Sequence, residues 1–171
     1  MTAKGRGSMA ELREIDDLSL TILRGGGPEF HAAVSGVLGS GLPETPNTTE
    51  MGRALWLGPD EWLVVSDADP AGALEEALEG QHCAIVDVSE ARAVLELSGS
   101  GVMEVLASGC RLDLDTLRPG SCAQTALARA HVLLEPREDG VWRLYVGRSY
   151  AAYARTWLED AIALQATPSS P

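Results

Sequence analysis

Asp87-Val88-Ser89-Glu90-Ala91-Arg92 brings a carboxylate, a hydroxyl and a guanidinium close together in the chain, a set able to hold a polar substrate. The same groups also build a turn, with Asp or Ser bonding the backbone and Arg92 as counter-charge, and this is the preferred reading. Gly99-Ser100-Gly101 precedes a helical pattern as a phosphate-cradling turn does, but the third glycine and the lysine of such turns are missing. Nucleophilic catalysis needs a serine, or one of Cys83, Cys110 and Cys122, beside His31, His82 or His131. His82 adjoins Cys83, but neighbours on a strand point to opposite faces. His131 lies in an apolar run and reads as a half-buried strand residue. No Gly-x-Ser-x-Gly elbow is present, and no motif assembles a convincing active site.

Arg143-Leu144-Tyr145-Val146-Gly147-Arg148-Ser149-Tyr150 sets two arginines and two tyrosines at a strand-to-helix junction. Arg143, Arg148 and Tyr150 suit a carboxylate, a phosphate or a protein interface. An arginine anchoring a loop and a tyrosine at the core margin explain the run equally well. Trp56-Leu57-Gly58-Pro59-Asp60-Glu61-Trp62 places two of the four tryptophans about a tight turn, so the flanking apolar runs read as a hairpin. Gly58 offers freedom in φ, Pro59 a fixed φ, and Asp60 a carboxylate that bonds the backbone. Trp56 and Trp62 are either buried core or, for one of them, the centre of an interface.

The elements that must carry these groups read as α+β. Leu18 to Leu23 alternates like a strand and stops at Gly25 to Gly27. Pro28 opens a helix with Phe30, Val34, Val37 and Leu38 at helical spacing, closed by Gly39. The tryptophan hairpin follows a Pro/Thr/Asn-rich loop, Gly41 to Thr49. A second helix starts near Asp69-Pro70 and ends at Gly80, and Cys83 to Val88 is an apolar strand. Ala91 to Leu97 is a further strand, and Val102, Val105 and Leu106 carry a short helix. Strands near Cys122 to Ala128, Ala130 to Leu134 and Val141 to Val146 come next, the last two joined at Glu138-Asp139-Gly140. Ser149 caps a final helix with Tyr153, Trp157, Leu158, Ala161 and Ile162 on its stripe. Each half thus repeats strand, helix, antiparallel strands, helix, with a crossing strand between. The expected division is a flexible leader over 1–10, one duplicated α+β domain over 11–165, and a disordered tail over 166–171.

Composition bounds the partners. A length of 171 residues suits one domain, and a net charge of −12 makes nucleic acid an unfavourable partner. Eight of the twelve arginines lie from Arg92 onward, whereas Asp60 to Asp87 has no Lys or Arg, a two-sided surface suited to docking on a larger protein. Three cysteines without Cys-x-x-Cys spacing fit neither a disulfide framework nor a zinc site, and point to a reducing cytoplasm. No apolar run reaches the roughly 18 residues of a membrane span, so a membrane is not expected to be a partner.

Trp56 to Leu63, Asp87-Val88-Ser89 with Arg92, Leu97-Ser98-Gly99, Gly109-Cys110-Arg111-Leu112-Asp113-Leu114, Pro119-Gly120 with Cys122-Ala123-Gln124-Thr125, and Arg148-Ser149-Tyr150 form an ordered series. In order and spacing the series, from about Leu18 to Ala163, closely resembles the gamma subunits of heterotetrameric sarcosine oxidase. That family looks like a shortened relative of the glycine-cleavage aminomethyltransferases and their folate-binding fold, the Asp87-Val88-Ser89 and Leu97-Ser98-Gly99 blocks being the clearest link. The resemblance implies a cofactor-free, non-catalytic subunit that docks to a larger flavin- and folate-binding subunit. It supports the oxidation of sarcosine to glycine beside alpha, beta and delta partners, with FAD, FMN, NAD, tetrahydrofolate and zinc held by those partners. Where aminomethyltransferases carry paired glycines and a catalytic aspartate, this chain reads Ala130-His131-Val132-Leu133-Leu134-Glu135, so that aspartate is not carried over. The cysteine motif of the related iron-sulfur maintenance proteins is also missing around Cys110. The alternative is a stand-alone tetrahydrofolate-dependent aminomethyltransferase-like protein. No catalytic, cofactor-binding or metal residue is assigned, and the candidate interface residues are Trp56, Trp62, Arg143, Arg148 and Tyr150.

Overall fold

The structure, a computed structural model, describes residues 9–51 and 53–166. Most of the expected leader therefore lies outside the described residues, as does the expected tail beyond Ala166. The first half contains β1 (Glu11–Ile15), β2 (Ser19–Arg24), α1 (Pro28–Leu38), β3 (Thr49–Glu50), β4 (Ala54–Gly58), β5 (Glu61–Ser66) and α2 (Ala71–Ala77). The second half contains β6 (Ala84–Asp87), β7 (Arg92–Ser98), α3 (Val102–Gly109), β8 (Ala123–Leu127), β9 (Ala130–Pro136), β10 (Trp142–Gly147) and α4 (Arg148–Ala166).

Two antiparallel sheets result, ordered β3-β4-β5-β2-β6 and β8-β9-β10-β7-β1. The orders match position by position, so the duplication expected from element order is present in the topology. One detail is additional. β1 opens the first half yet pairs with β7 of the second, while β6 opens the second half yet pairs with β2 of the first. Each half thus lends one edge strand to the other. β6 was legible as the crossing strand, whereas the charged run Glu11-Leu12-Arg13-Glu14-Ile15 hid its counterpart.

Strand alternation sorts side chains into three apolar layers. Leu23, Trp62 and Val64 face α1 and α2, packing on Phe30, Val34, Leu38 and Leu74. Leu20, Leu55, Leu63 and Val65 face the other sheet and meet Val94, Leu133 and Tyr145. On the far side Leu95, Leu97, Leu134 and Leu144 pack on Val105 and Leu106 of α3 and Leu158 of α4. The order of layers is helix, sheet, sheet, helix. Along one edge the sheets are stitched together: Thr49 N donates to Gly120 O and Cys122 N to Asn47 O, both at 2.9 Å.

Some local expectations need correction. In the tryptophan hairpin the left-handed residue is Asp60, at φ 56°, so Gly58 is not the residue that takes the turn's positive φ. The terminal helix begins at Arg148, one residue before the expected cap Ser149, and its buried face is Ala154, Leu158 and Ala161. Tyr153, placed on that stripe by spacing, is exposed on its rim. β6 is a sheet edge, and its Val86 faces outward although the run around it is apolar.

Candidate functional site: an ion ladder between the sheets

Sequence alternation points one row of the second sheet towards the first sheet at the end nearest Met51 and Pro119. Register places Arg13 of β1 opposite Glu96 of β7, Glu96 opposite Arg143 of β10, and Arg143 opposite Glu135 of β9. Charges therefore alternate across four strands, each beside its opposite, the favourable cross-strand arrangement. Arg13 Nε donates to Glu96 Oε1 and Arg143 Nε to Glu96 Oε2, both at 2.9 Å. Tyr145 Oη donates to Glu135 Oε2 at 2.7 Å, and Arg137 Nη1 to Glu135 Oε1 at 3.1 Å.

The two carboxylates are nearly buried, Glu96 at 5% exposure and Glu135 at 2%. Burial pushes the Glu96 carboxyl up, but hydrogen bonds from Arg143 and Arg13 outweigh it and hold the group below its ordinary value. Burial wins at Glu135, whose carboxyl sits above its ordinary value despite the Tyr145 hydrogen bond and the charges of Arg137 and Arg143. Glu96, Glu135 and Arg137 line a cavity of about 610 Å³ together with Thr49, Met51 and Pro119. Both oxygens of each carboxylate already hold a donor. Such groups brace neighbouring strands of the second sheet, and a proton transfer by either would break a bond the fold uses.

Sequence reasoning missed Glu96 and Glu135. The signal was present: each interrupts an apolar strand, in Leu95-Glu96-Leu97 and Leu134-Glu135-Pro136, at a position whose parity faces the other sheet. The candidate Arg143 belongs to this ladder.

The remaining candidates are scattered. Trp62 is buried at 2% exposure, stacked on Phe30 with centroids 6.1 Å apart, and donates Nε1–H to Pro43 O at 2.7 Å. Trp56 lies opposite it on β4 and is half-buried. Arg148 anchors a loop: its backbone N donates to Ala91 O and its Nη2 to Arg92 O, at 2.8 and 2.7 Å, and Nη1 pairs with Glu14 at 3.3 Å. Tyr150 projects from α4 at 48% exposure.

Asp87 and Ser89 form the turn that their types suggest. Ser89 N and Oγ donate to Asp87 Oδ1 at 2.9 and 2.6 Å, and Leu20 N donates to Ser89 Oγ at 3.0 Å. Those Ser89 bonds hold the Asp87 carboxyl below its ordinary value. Arg92 does not pair with Asp87; its side chain faces elsewhere, into the space between the sheets. A Cβ added at Gly101, the residue before α3, would lie 3.3 Å from Gln165 Oε1 and 3.5 Å from Ala10 N, so the space beside this glycine is already taken by the chain itself. His82 is exposed and Cys83 half-buried, both before β6 begins at Ala84, and His131 is exposed rather than half-buried. No helix among the described residues is long and apolar enough to cross a membrane.

Comparison with known proteins places these features. Residues 24–164 match the family described as sarcosine oxidase, gamma subunit family. The sarcosine oxidase subunit gamma of Arthrobacter sp. is 35% identical over 151 residues, covering 84% of this chain and 74% of the relative. That of Corynebacterium sp. strain U-96 is 33% identical over 144 residues, covering 80% and 70%. Among solved structures, a chain of the heterotetrameric sarcosine oxidase from Corynebacterium sp. U-96, in complex with pyrrole 2-carboxylate, superposes with a TM-score of 0.85 at 29% identity, over 95% of this chain and 88% of that one. The glycine cleavage system aminomethyltransferase T of Bartonella henselae shares the fold alone, with a TM-score of 0.64 at 16% identity over 88% of this chain and 45% of that one.

Proposed function

Because the chain belongs to the sarcosine oxidase gamma subunit family, we propose that it serves as the non-catalytic gamma subunit of a heterotetrameric sarcosine oxidase in the cytoplasm. It docks to a larger flavin- and folate-binding subunit and so supports the oxidative demethylation of sarcosine to glycine. Its partners are the alpha, beta and delta subunits, which on this reading hold the FAD, FMN, NAD, tetrahydrofolate and zinc.

The observation that carries this reading is likeness along nearly the whole chain, at 95% coverage and a TM-score of 0.85, to a chain of an assembled oxidase. The ion ladder supports the non-catalytic part. Glu135 lies on the hairpin strand where the resemblance looks for an acidic catalyst, and its two oxygens are taken by Tyr145 and Arg137. A carboxylate so held braces a strand; a general base must be able to accept a substrate proton.

Co-expression with the partner subunits followed by affinity capture of this chain tests the proposal. The expected result is a stable complex that has flavin absorbance and oxidises sarcosine, and an isolated chain that is colourless and inactive. An equally stable and active oxidase purified without this chain would overturn it. Titration of the isolated chain with tetrahydrofolate separates the transferase alternative, since a tight stoichiometric signal there would sink the purely structural role.

A further inference from the structure

At the opposite end of the same inner sheet face, a second row of residues differs in kind from the ladder. Register pairs Arg92 of β7 with Gly147 of β10. Val146 pairs with Val132, so continuing the register by one residue brings His131 of β9 to the other side of Gly147. The row therefore runs arginine, glycine, histidine, with a gap at its centre. A Cβ added at Gly147 would meet nothing within 4 Å, and its φ lies outside the left-handed region. The glycine thus leaves open a trough that a side chain would fill. The trough belongs to a cavity of about 690 Å³, walled by Leu57, Val88 and Leu133.

Arg92 has a charge left over. Its backbone carbonyl accepts from Arg148, but its guanidinium has no hydrogen-bonded or ion-paired partner among the described residues. Burial lowers its pKa, and the charge of Glu61 opposes this without making an ion pair. A guanidinium that is partly desolvated yet unpaired stands in contrast to Arg13, Arg137, Arg143 and Arg148, each of which holds a carboxylate. Buried charges are normally paired, and a planar five-donor cation between apolar walls matches a carboxylate.

We propose that the trough between Arg92 and His131 receives one Asp or Glu side chain presented by the larger subunit, and so marks a docking face of this chain. The proposal rests on the subunit reading above. A free acid would meet a single guanidinium and one imidazole in an open groove, a weak site by itself. A docked subunit supplies the same carboxylate at the millimolar effective concentration of a tethered group. Leu57 and Val88, both half-buried, then lose water on docking, which strengthens the charge pair they flank.

The test is reconstitution of the full complex with Arg92→Gln and with Gly147→Val, read as the concentration needed for half-maximal assembly. The first removes the cation, and the second fills the trough with a residue that strands favour. Each should weaken assembly at least about tenfold, as loss of one partner of a desolvated charge pair does. Both variants alone should melt close to the parent, and Arg92→Lys should recover part of the affinity. Unchanged assembly of both variants would overturn the proposal. Saturable submillimolar binding of acetate or benzoate to the isolated chain would also overturn it, by assigning the trough to a free acid. Failure of the unmodified chain to assemble would instead overturn the subunit reading, and the docking face with it.

Discussion

Replacing Trp62 with alanine removes more than any other side chain of the hairpin. The indole is stacked on Phe30, meets the His31 ring edge-on at 5.5 Å, and donates to the Pro43 carbonyl at 2.7 Å. Truncating a buried aromatic costs about 3–5 kcal/mol, from lost transfer free energy and the cavity left behind. The hydrogen bond contributes roughly 1 kcal/mol of that, so Trp62→Phe, which keeps most of the apolar surface, should cost about 1–2 kcal/mol. Trp56 is half-buried on the same face, and its alanine variant should cost roughly half as much as that of Trp62. With a urea slope of about 2 kcal/mol per molar, a loss of about 4 kcal/mol lowers the unfolding midpoint by about 2 M. Far-UV circular dichroism is the suitable signal, because removing a tryptophan changes the fluorescence itself. A midpoint shift below about 0.5 M for Trp62→Ala, or a larger shift for Trp56→Ala, would refute the packing argument. Complex assembly should follow stability for Trp62→Ala.

The two ladder carboxylates should give opposite pH slopes. Glu135 has a raised pKa in the folded chain, so its contribution is fully present below the ordinary value of 4.5 and is lost as pH rises through the folded value. Glu96 has a lowered pKa, so its contribution is present above 4.5 and is lost as pH falls through the folded value. Urea midpoints at about pH 4 and about pH 8 should therefore rise for Glu135→Gln relative to the parent on going to the higher pH, and fall for Glu96→Gln; parallel trends would refute the assignment. Thiol chemistry offers a further check. Cys122 is buried with its pKa pushed up to about 12, Cys110 is also buried, and Cys83 is half-buried. A thiol reagent at pH 8 should label Cys83 first in the folded protein and all three cysteines in urea, and early labelling of Cys122 by peptide mass would contradict its burial.

The layers were legible because they follow from local alternation and spacing. Leu63 and Val65 must face opposite to Trp62 and Val64, and Phe30, Val34 and Leu38 must share a helix face. The glycine at position 39, at φ 70°, closes α1 where the pattern ends. Local signals do not reveal which distant strands become neighbours. Arg13 lies 83 residues from Glu96, and Glu96 lies 47 from Arg143, so the ladder exists only after the sheets are ordered. Arg143 and Arg148 show the same limit: similar residues at one junction, of which the first enters the interior ladder and the second ties a loop. The family resemblance was carried by turns and glycine-bounded blocks, which survive divergence because their backbone requirements are strict.

Exchange of β1 and β6 between the halves also fixes an order of events during synthesis. The first half can recruit β6 soon after its own strands emerge, but Glu11–Ile15 has its pairing partner in Arg92–Ser98. At about 5–20 residues per second, the 83-residue separation of Arg13 from Glu96 amounts to roughly 4–17 s during which the start of the chain waits unpaired. Its alternating charges, Glu11, Arg13 and Glu14, keep this waiting segment a poor template for other edges. When β7 emerges, Arg13 finds Glu96 opposite it, and the first strand made is secured only after every strand of the other sheet has emerged.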